Sequence, residues 1–146
     1  MPRGGPFPAS TDAQEPRTCE PGEVSIRCLI VDDNESFLGV ARELLEQEGL
    51  DVAGVASTTS DALRQVQLLR PNVVLVDIFL GDESGIDLAR RLTEDGLTEG
   101  ATVILISTHA ETDVADLIAS SPAAGFVPKA DLSASAIRRI VNGRVG

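Results

Sequence analysis

The stretch that most restricts this chain is Val73, Val74, Leu75 and Val76 running straight into Asp77. Turn-forming residues bracket it, Pro71 and Asn72 before and Gly81 and Asp82 after. A continuous apolar run this short, rich in β-branched residues, reads as a strand buried on both faces. Such strands belong to parallel sheets covered by helices on each side. Asp77 then stands at the carboxyl end of a central strand, where open α/β sheets bind their ligands.

The rest of the chain repeats that unit. Ile26 to Val31 forms a first strand, followed by Asp32, Asp33 and Asn34. Phe37, Leu38, Ala41, Leu44 and Leu45 then recur at helical spacing until Gly49. Asp51 to Val55 is a second strand, and Ala62, Leu63, Val66 and Leu69 stripe a helix that must end before Pro71. After the Asp77 strand, Ser84 and Asp87 have the spacing of a capping box opening a helix with Ile86, Leu88, Ala89 and Leu92. Thr102 to Ser107 is a fourth strand, and Val114, Leu117 and Ile118 mark a shorter helix. Ala124 to Val127 is a fifth strand, ending at Pro128 and Lys129, and Ala136, Ile137, Ile140 and Val141 stripe the last helix. Five β–α units with short connections predict an α/β fold: one parallel sheet with helices on both faces.

Residues 1–23 differ in kind, with Pro2, Pro6, Pro8, Pro16 and Pro21 among them and little apolar beyond Phe7. Such a segment cannot bury enough surface to offset its ordering entropy, so a disordered tail is expected at 1–23 and one folded domain at 24–146. The tail has no apolar core of a signal peptide, and no run approaches the ~18 apolar residues of a membrane span. A cytoplasmic protein with reduced Cys19 and Cys28 is expected. The formal charge of −11 argues against direct nucleic-acid binding by this chain and against anionic membranes.

In a parallel sheet the strand ends share one edge. Here they carry Asp32 and Asp33, then Asp77, then Ser107 and Thr108, then Lys129. Each has a plainer role when taken alone, the two acids as helix N-caps, Ser107 as a loop hydroxyl, Lys129 as a solvated charge. Four such coincidences on four successive edges are a different matter. Three close carboxylates repel one another unless a cation is present, and Mg²⁺ takes oxygen ligands of this kind together with phosphate oxygens. Lys129 supplies a mobile charge and Ser107 a hydroxyl for phosphoryl oxygens. The set suits phosphoryl transfer onto Asp77 by positioning and charge neutralisation.

With separations of 44, 30 and 22 residues from Asp33 through Asp77 and Ser107 to Lys129, the chain resembles the receiver domain of two-component response regulators. The resemblance spans the whole predicted domain, including Leu80 and Gly85 after Asp77 and the Gly125–Lys129 segment. It implies a flavodoxin-like doubly wound sheet of order 2-1-3-4-5. It implies Mg²⁺ held by Asp33, Asp77 and the backbone carbonyl of Phe79, with Asp32 acting mostly through water. It further implies that Asp77 accepts a phosphoryl group from a sensor histidine kinase. The chain would then be no enzyme beyond its own phosphorylation and dephosphorylation. Ser107 and Phe126 would be switch residues remodelling the face of the fourth helix, fifth strand and fifth helix, a surface for a downstream protein target or a homodimer partner.

Some positions depart from the family's pattern. Pro128 precedes Lys129, whereas the family often has a cis proline just after the lysine. Gly81 replaces a frequent proline, which suggests a looser loop. Phe79 and His109 occupy variable positions that govern water access, and their bulk is expected to slow dephosphorylation. A haloacid-dehalogenase-like phosphatase would need an acid–base aspartate where Phe79 stands, and a dinucleotide site would need glycines where Asp32, Asp33 and Asn34 stand. A binding-only pseudo-receiver stays open. Since the last helix extends nearly to Gly146, no output domain is expected here, and the alternative is a receiver fragment of a DNA-binding transcriptional regulator.

Overall fold

A computed structural model describes residues 26–94 and 101–145. The expected disordered tail, with Cys19, lies outside the described residues, as do residues 95–100 and 146. Five strands form one parallel sheet: β1 (Arg27–Val31), β2 (Asp51–Ala56), β3 (Val73–Asp77), β4 (Thr102–Ser107) and β5 (Gly125–Pro128). Their spatial order is β2-β1-β3-β4-β5, the flavodoxin-like arrangement that the sequence implied. The helices are α1 (Glu35–Gln47), α2 (Thr59–Leu69), α3 (Gly85–Glu94), α4 (Ala115–Ala119) and α5 (Ala134–Val145).

Two cores follow from strand alternation, because successive side chains point to opposite faces. Cys28, Ile30, Leu75, Ile104 and Ile106 pack on one face with Leu38 and Leu45 of α1 and Ile137 of α5. Leu29, Val31, Val74, Val76 and Leu105 pack on the other with Val66 of α2 and Leu88 and Leu92 of α3. Every residue of β3 and β4 is buried, as strands covered twice must be. Cys28 is wholly enclosed, and burial, aided by the charges of Asp51 and Glu46, pushes its thiol up to about 12.

Helix ends obey local rules. The Asn34 side chain accepts the Phe37 N–H at 3.1 Å, opening α1. Gly49 follows α1 with φ +96°, a left-handed position that glycine occupies without penalty. Arg70 closes α2 at φ 50°, since Pro71 disfavours a further helical residue before it. The predicted capping box is half formed: Ser84 Oγ accepts the Asp87 N–H at 3.2 Å, but the Asp87 carboxylate pairs with Arg90 at 3.1 Å. The helix predicted around Val114 is shorter than its stripe. A 3₁₀ turn over Glu111–Val114 precedes the single turn of α4, and Leu117 faces solvent.

Candidate functional site

Register decides what meets at the carboxyl edge of the sheet. Val31 lies beside Ala56 and Val76, Asp77 beside Ile106, and Ser107 beside Pro128. The ladder runs one residue further after two strands: Asp32 N–H donates to the Ala56 carbonyl and Ile78 N–H to that of Ile106, both at 3.0 Å. Asp32, Asp77, Ser107 and Lys129 therefore leave rigid backbone on one side of the molecule.

The three aspartates converge, one oxygen from each lying within 4.8 Å of the others. Asp33 is exposed, Asp77 is 6% exposed, and Asp32 is fully buried. Asp32 Oδ1 accepts the Asn34 N–H at 2.9 Å. Its Oδ2 lies 2.5 Å from Lys129 Nζ as an ion pair, yet accepts no aligned hydrogen bond. The same ammonium donates to Asp77 Oδ2 at 3.0 Å, and Asp77 Oδ1 accepts the Phe79 N–H at 3.1 Å. Beneath the ammonium lies the Phe37 ring, 4.4 Å from Nζ to centroid, a cation–π contact. Sequence reasoning placed Phe37 on the core stripe only. Its signal was position, one helical turn beyond Asp33 at the mouth of the site.

One ammonium cannot balance these acids. Burial pushes the Asp77 carboxyl up, and the Asp32 charge adds to that, against the pull of Lys129 and the Phe79 N–H. Burial pulls Lys129 down, but the paired carboxylates of Asp32 and Asp77 together carry it above its ordinary value. Acid and base alike hold protons more tightly than in water, the first chiefly through burial and the second through its two acidic partners. An all-oxygen donor set of three converging aspartates fits a hard divalent cation.

Ser107 is buried at the end of β4, where its Oγ accepts the His109 N–H at 3.0 Å and lies 3.2 Å from His109 Nδ1. His109 is exposed and tilts against Phe79, ring centroids 5.1 Å apart. Thr108 is also exposed. Phe126 sits on β5 opposite Leu105, half-buried against the core under α2 and α3.

The loop after Asp77 is not loose, contrary to expectation. Phe79–Leu80 pairs antiparallel with Glu83–Ser84 across a turn in which Gly81 adopts φ +61°. Glu83 Oε1 accepts the Thr59 N–H at 2.8 Å, tying the hairpin to the start of α2. Gly85 N–H donates to the Ile78 carbonyl at 2.8 Å, and a Cβ on Gly85 would lie 1.8 Å from the Asp77 carbonyl oxygen. Glycine is required there by close approach, not by torsion. Among the described residues no peptide bond is cis.

Comparison with known proteins agrees with this geometry. The sequence matches the response regulator receiver domain family over residues 28–142. It is 37% identical over 92 residues to the DNA-binding response regulator MtrA of Mycolicibacterium smegmatis, covering 63% of this chain and 38% of that protein. It is 31% identical over 123 residues to the uncharacterized transcriptional regulatory protein YvfU of Bacillus subtilis, covering 82% of this chain and 60% of the relative. The chain thus spans less than two thirds of the length of these relatives. Among solved structures, a CheY-like response regulator receiver domain protein from Methanospirillum hungatei superposes with a TM-score of 0.69 at 25% identity, covering 84% of this chain and 98% of the other. A carboxylate-lined sheet edge, a lysine bridging two of its acids and a family match across nearly every described element lead to one assignment: the chain belongs to the response regulator receiver domain family.

Proposed function

We propose that this chain is a phospho-accepting receiver, in which a phosphoryl group passes from a histidine kinase to Asp77 and alters a protein-binding face. The observation that carries this reading is the Lys129 ammonium held between Asp77 and the buried Asp32, 3.0 and 2.5 Å away, in a pocket with acids to spare. Asp77 Oδ attacks phosphorus; the new O–P bond forms as the N–P bond of a phosphohistidine breaks, and the departing imidazole takes a proton from solvent. Asp33, Asp77 and the Phe79 carbonyl would hold Mg²⁺, with Asp32 behind them. When bound, the ion supplies the charge neutralisation that lets a phosphoryl group approach three carboxylates. Lys129 trades its bond to Asp77 for one to a phosphoryl oxygen, and Ser107 donates to another. Phe126 then turns into the space that Ser107 vacates, a two-state element biased by a local charge. The face of α4, β5 and α5 is where a target protein or a second copy would sense it.

The relatives described as DNA-binding or transcriptional regulators favour a second reading, in which this receiver belongs to a regulator that acts on DNA. Both readings require the same chemistry at Asp77. A cytoplasmic location suits either; among the described residues no helix is long and apolar enough to cross a membrane. The decisive experiment is incubation with acetyl phosphate and MgCl₂, followed by intact-mass measurement. A Mg²⁺-dependent phosphoprotein that disappears with Asp77→Asn is expected. An unmodified wild-type chain would leave only a pseudo-receiver, a binding module without turnover.

A further inference from the structure

The hydroxyl of Ser107 is already committed. Its oxygen accepts the backbone N–H of His109 at 3.0 Å and lies 3.2 Å from His109 Nδ1, a contact whose donor depends on the imidazole tautomer. A serine hydroxyl has one proton to give. His109 in turn rests against Phe79, ring centroids 5.1 Å apart and tilted by 57°. Phe79 is 45% exposed and rides on the hairpin that leaves Asp77. The imidazole is thereby braced by the loop that follows the acceptor aspartate, while it holds the residue that ends the next strand.

We infer that His109 is a positioning residue for Ser107: its Nδ1 accepts from the Ser107 hydroxyl and holds it away from Asp77, and this bond must break before Ser107 can serve a phosphoryl group. The inference rests on the phosphoacceptor reading of Asp77 given above. Its consequence is a bias in the unphosphorylated state. Any ligand that recruits Ser107 binds against the Ser107–His109 bond, so apparent affinity falls by the fraction of molecules in which that bond is intact. A neutral hydrogen bond of this kind sets the scale at roughly two- to ten-fold. The bond involves neither the carboxylates nor Lys129, so it tunes the pocket without altering its charge.

Two measurements on the full chain separate this inference from the function on which it rests. His109 is the single histidine of the sequence, so its imidazole ¹⁵N resonances need no assignment strategy. In the free protein an Nε2–H tautomer is expected, with an Nδ1 shift that moves on Ser107→Ala. A His109 spectrum indifferent to Ser107→Ala overturns the inference whatever the site binds. The second measurement is titration with beryllofluoride in MgCl₂. His109→Ala is expected to bind about two- to ten-fold more tightly than wild type, having lost the competing acceptor. His109→Asn, whose side-chain oxygen can replace Nδ1, is expected to return to the wild-type value. Equal affinity for the Ala and Asn variants would mean that ring bulk, not the hydrogen bond, matters, and overturns the inference. A wild-type chain that binds no beryllofluoride at all would overturn the phosphoacceptor reading itself, while the free-state spectrum still decides what holds Ser107.

Discussion

At Lys129 a single ammonium pairs with two buried acids, and its loss should be felt before any chemistry begins. Removing one partner of a buried ion pair costs roughly 3–5 kcal/mol, and somewhat less where the pocket mouth admits water. Lys129→Met is therefore expected to lower stability by about 2–4 kcal/mol in denaturant melts, and added MgCl₂ should restore more of it to the variant than it adds to wild type. Asp77 predicts the opposite sign. Its carboxyl is raised by burial, so the folded state holds its proton more tightly than the unfolded chain does. Stability then falls as pH rises through the window above the ordinary carboxylate value. Asp77→Asn should accordingly be more stable than wild type at neutral pH, with the gap closing as pH falls through the acid range. Equal melting temperatures at pH 7 would refute this. On the proposed phosphoacceptor reading, the Phe79 and His109 rings would limit water access to Asp77, so Phe79→Asn should give a several-fold faster loss of phosphoryl from Asp77 in a stopped phosphorylation assay.

At the scale of elements, the tightest demand is where β3 hands over to α3. A methyl group on Gly85 would collide with the Asp77 carbonyl oxygen, which is backbone and cannot step aside. Gly85→Ala should destabilise the fold by about 3 kcal/mol or more and disturb Asp77 even at temperatures where the chain stays folded. Its circular dichroism melt and beryllofluoride binding would both report this. The Asp77 strand and its convergence with Asp32 and Lys129 were legible because apolar runs fix strands and parallel topology fixes edges. Less legible were features decided by tertiary competition. Asp87 had capping-box spacing, but Arg90 one turn on offered its carboxylate a charged partner. Leu117 had helical spacing, but only a single turn forms there and it leaves that side chain in water. The hairpin over Phe79–Ser84 was read as a loose loop because Gly81 lacks proline's stiffness. Its order comes instead from Glu83 reaching the start of α2, a contact 24 residues back in sequence that no local pattern announces.

For the molecule as a whole, the sheet is a shared wall between two separate cores, and its strands are the elements common to both. The excess of acid, a formal −11, adds self-repulsion that screening should relieve. Raising NaCl from low to physiological strength is expected to raise the melting temperature modestly. MgCl₂ at matched ionic strength should raise it further, by the linkage of a ligand that binds only the folded pocket. Equal effects of the two salts would remove the case for a specific cation site.

Cys28 turns the burial of β1 into a built-in clock. A thiol with no solvent exposure, pushed up to about 12, cannot meet an alkylating reagent while the sheet stands. In a Cys19→Ser background its rate of modification would count the moments when the entire sheet opens, and so report global stability under native conditions, in a crude lysate as readily as in a cuvette.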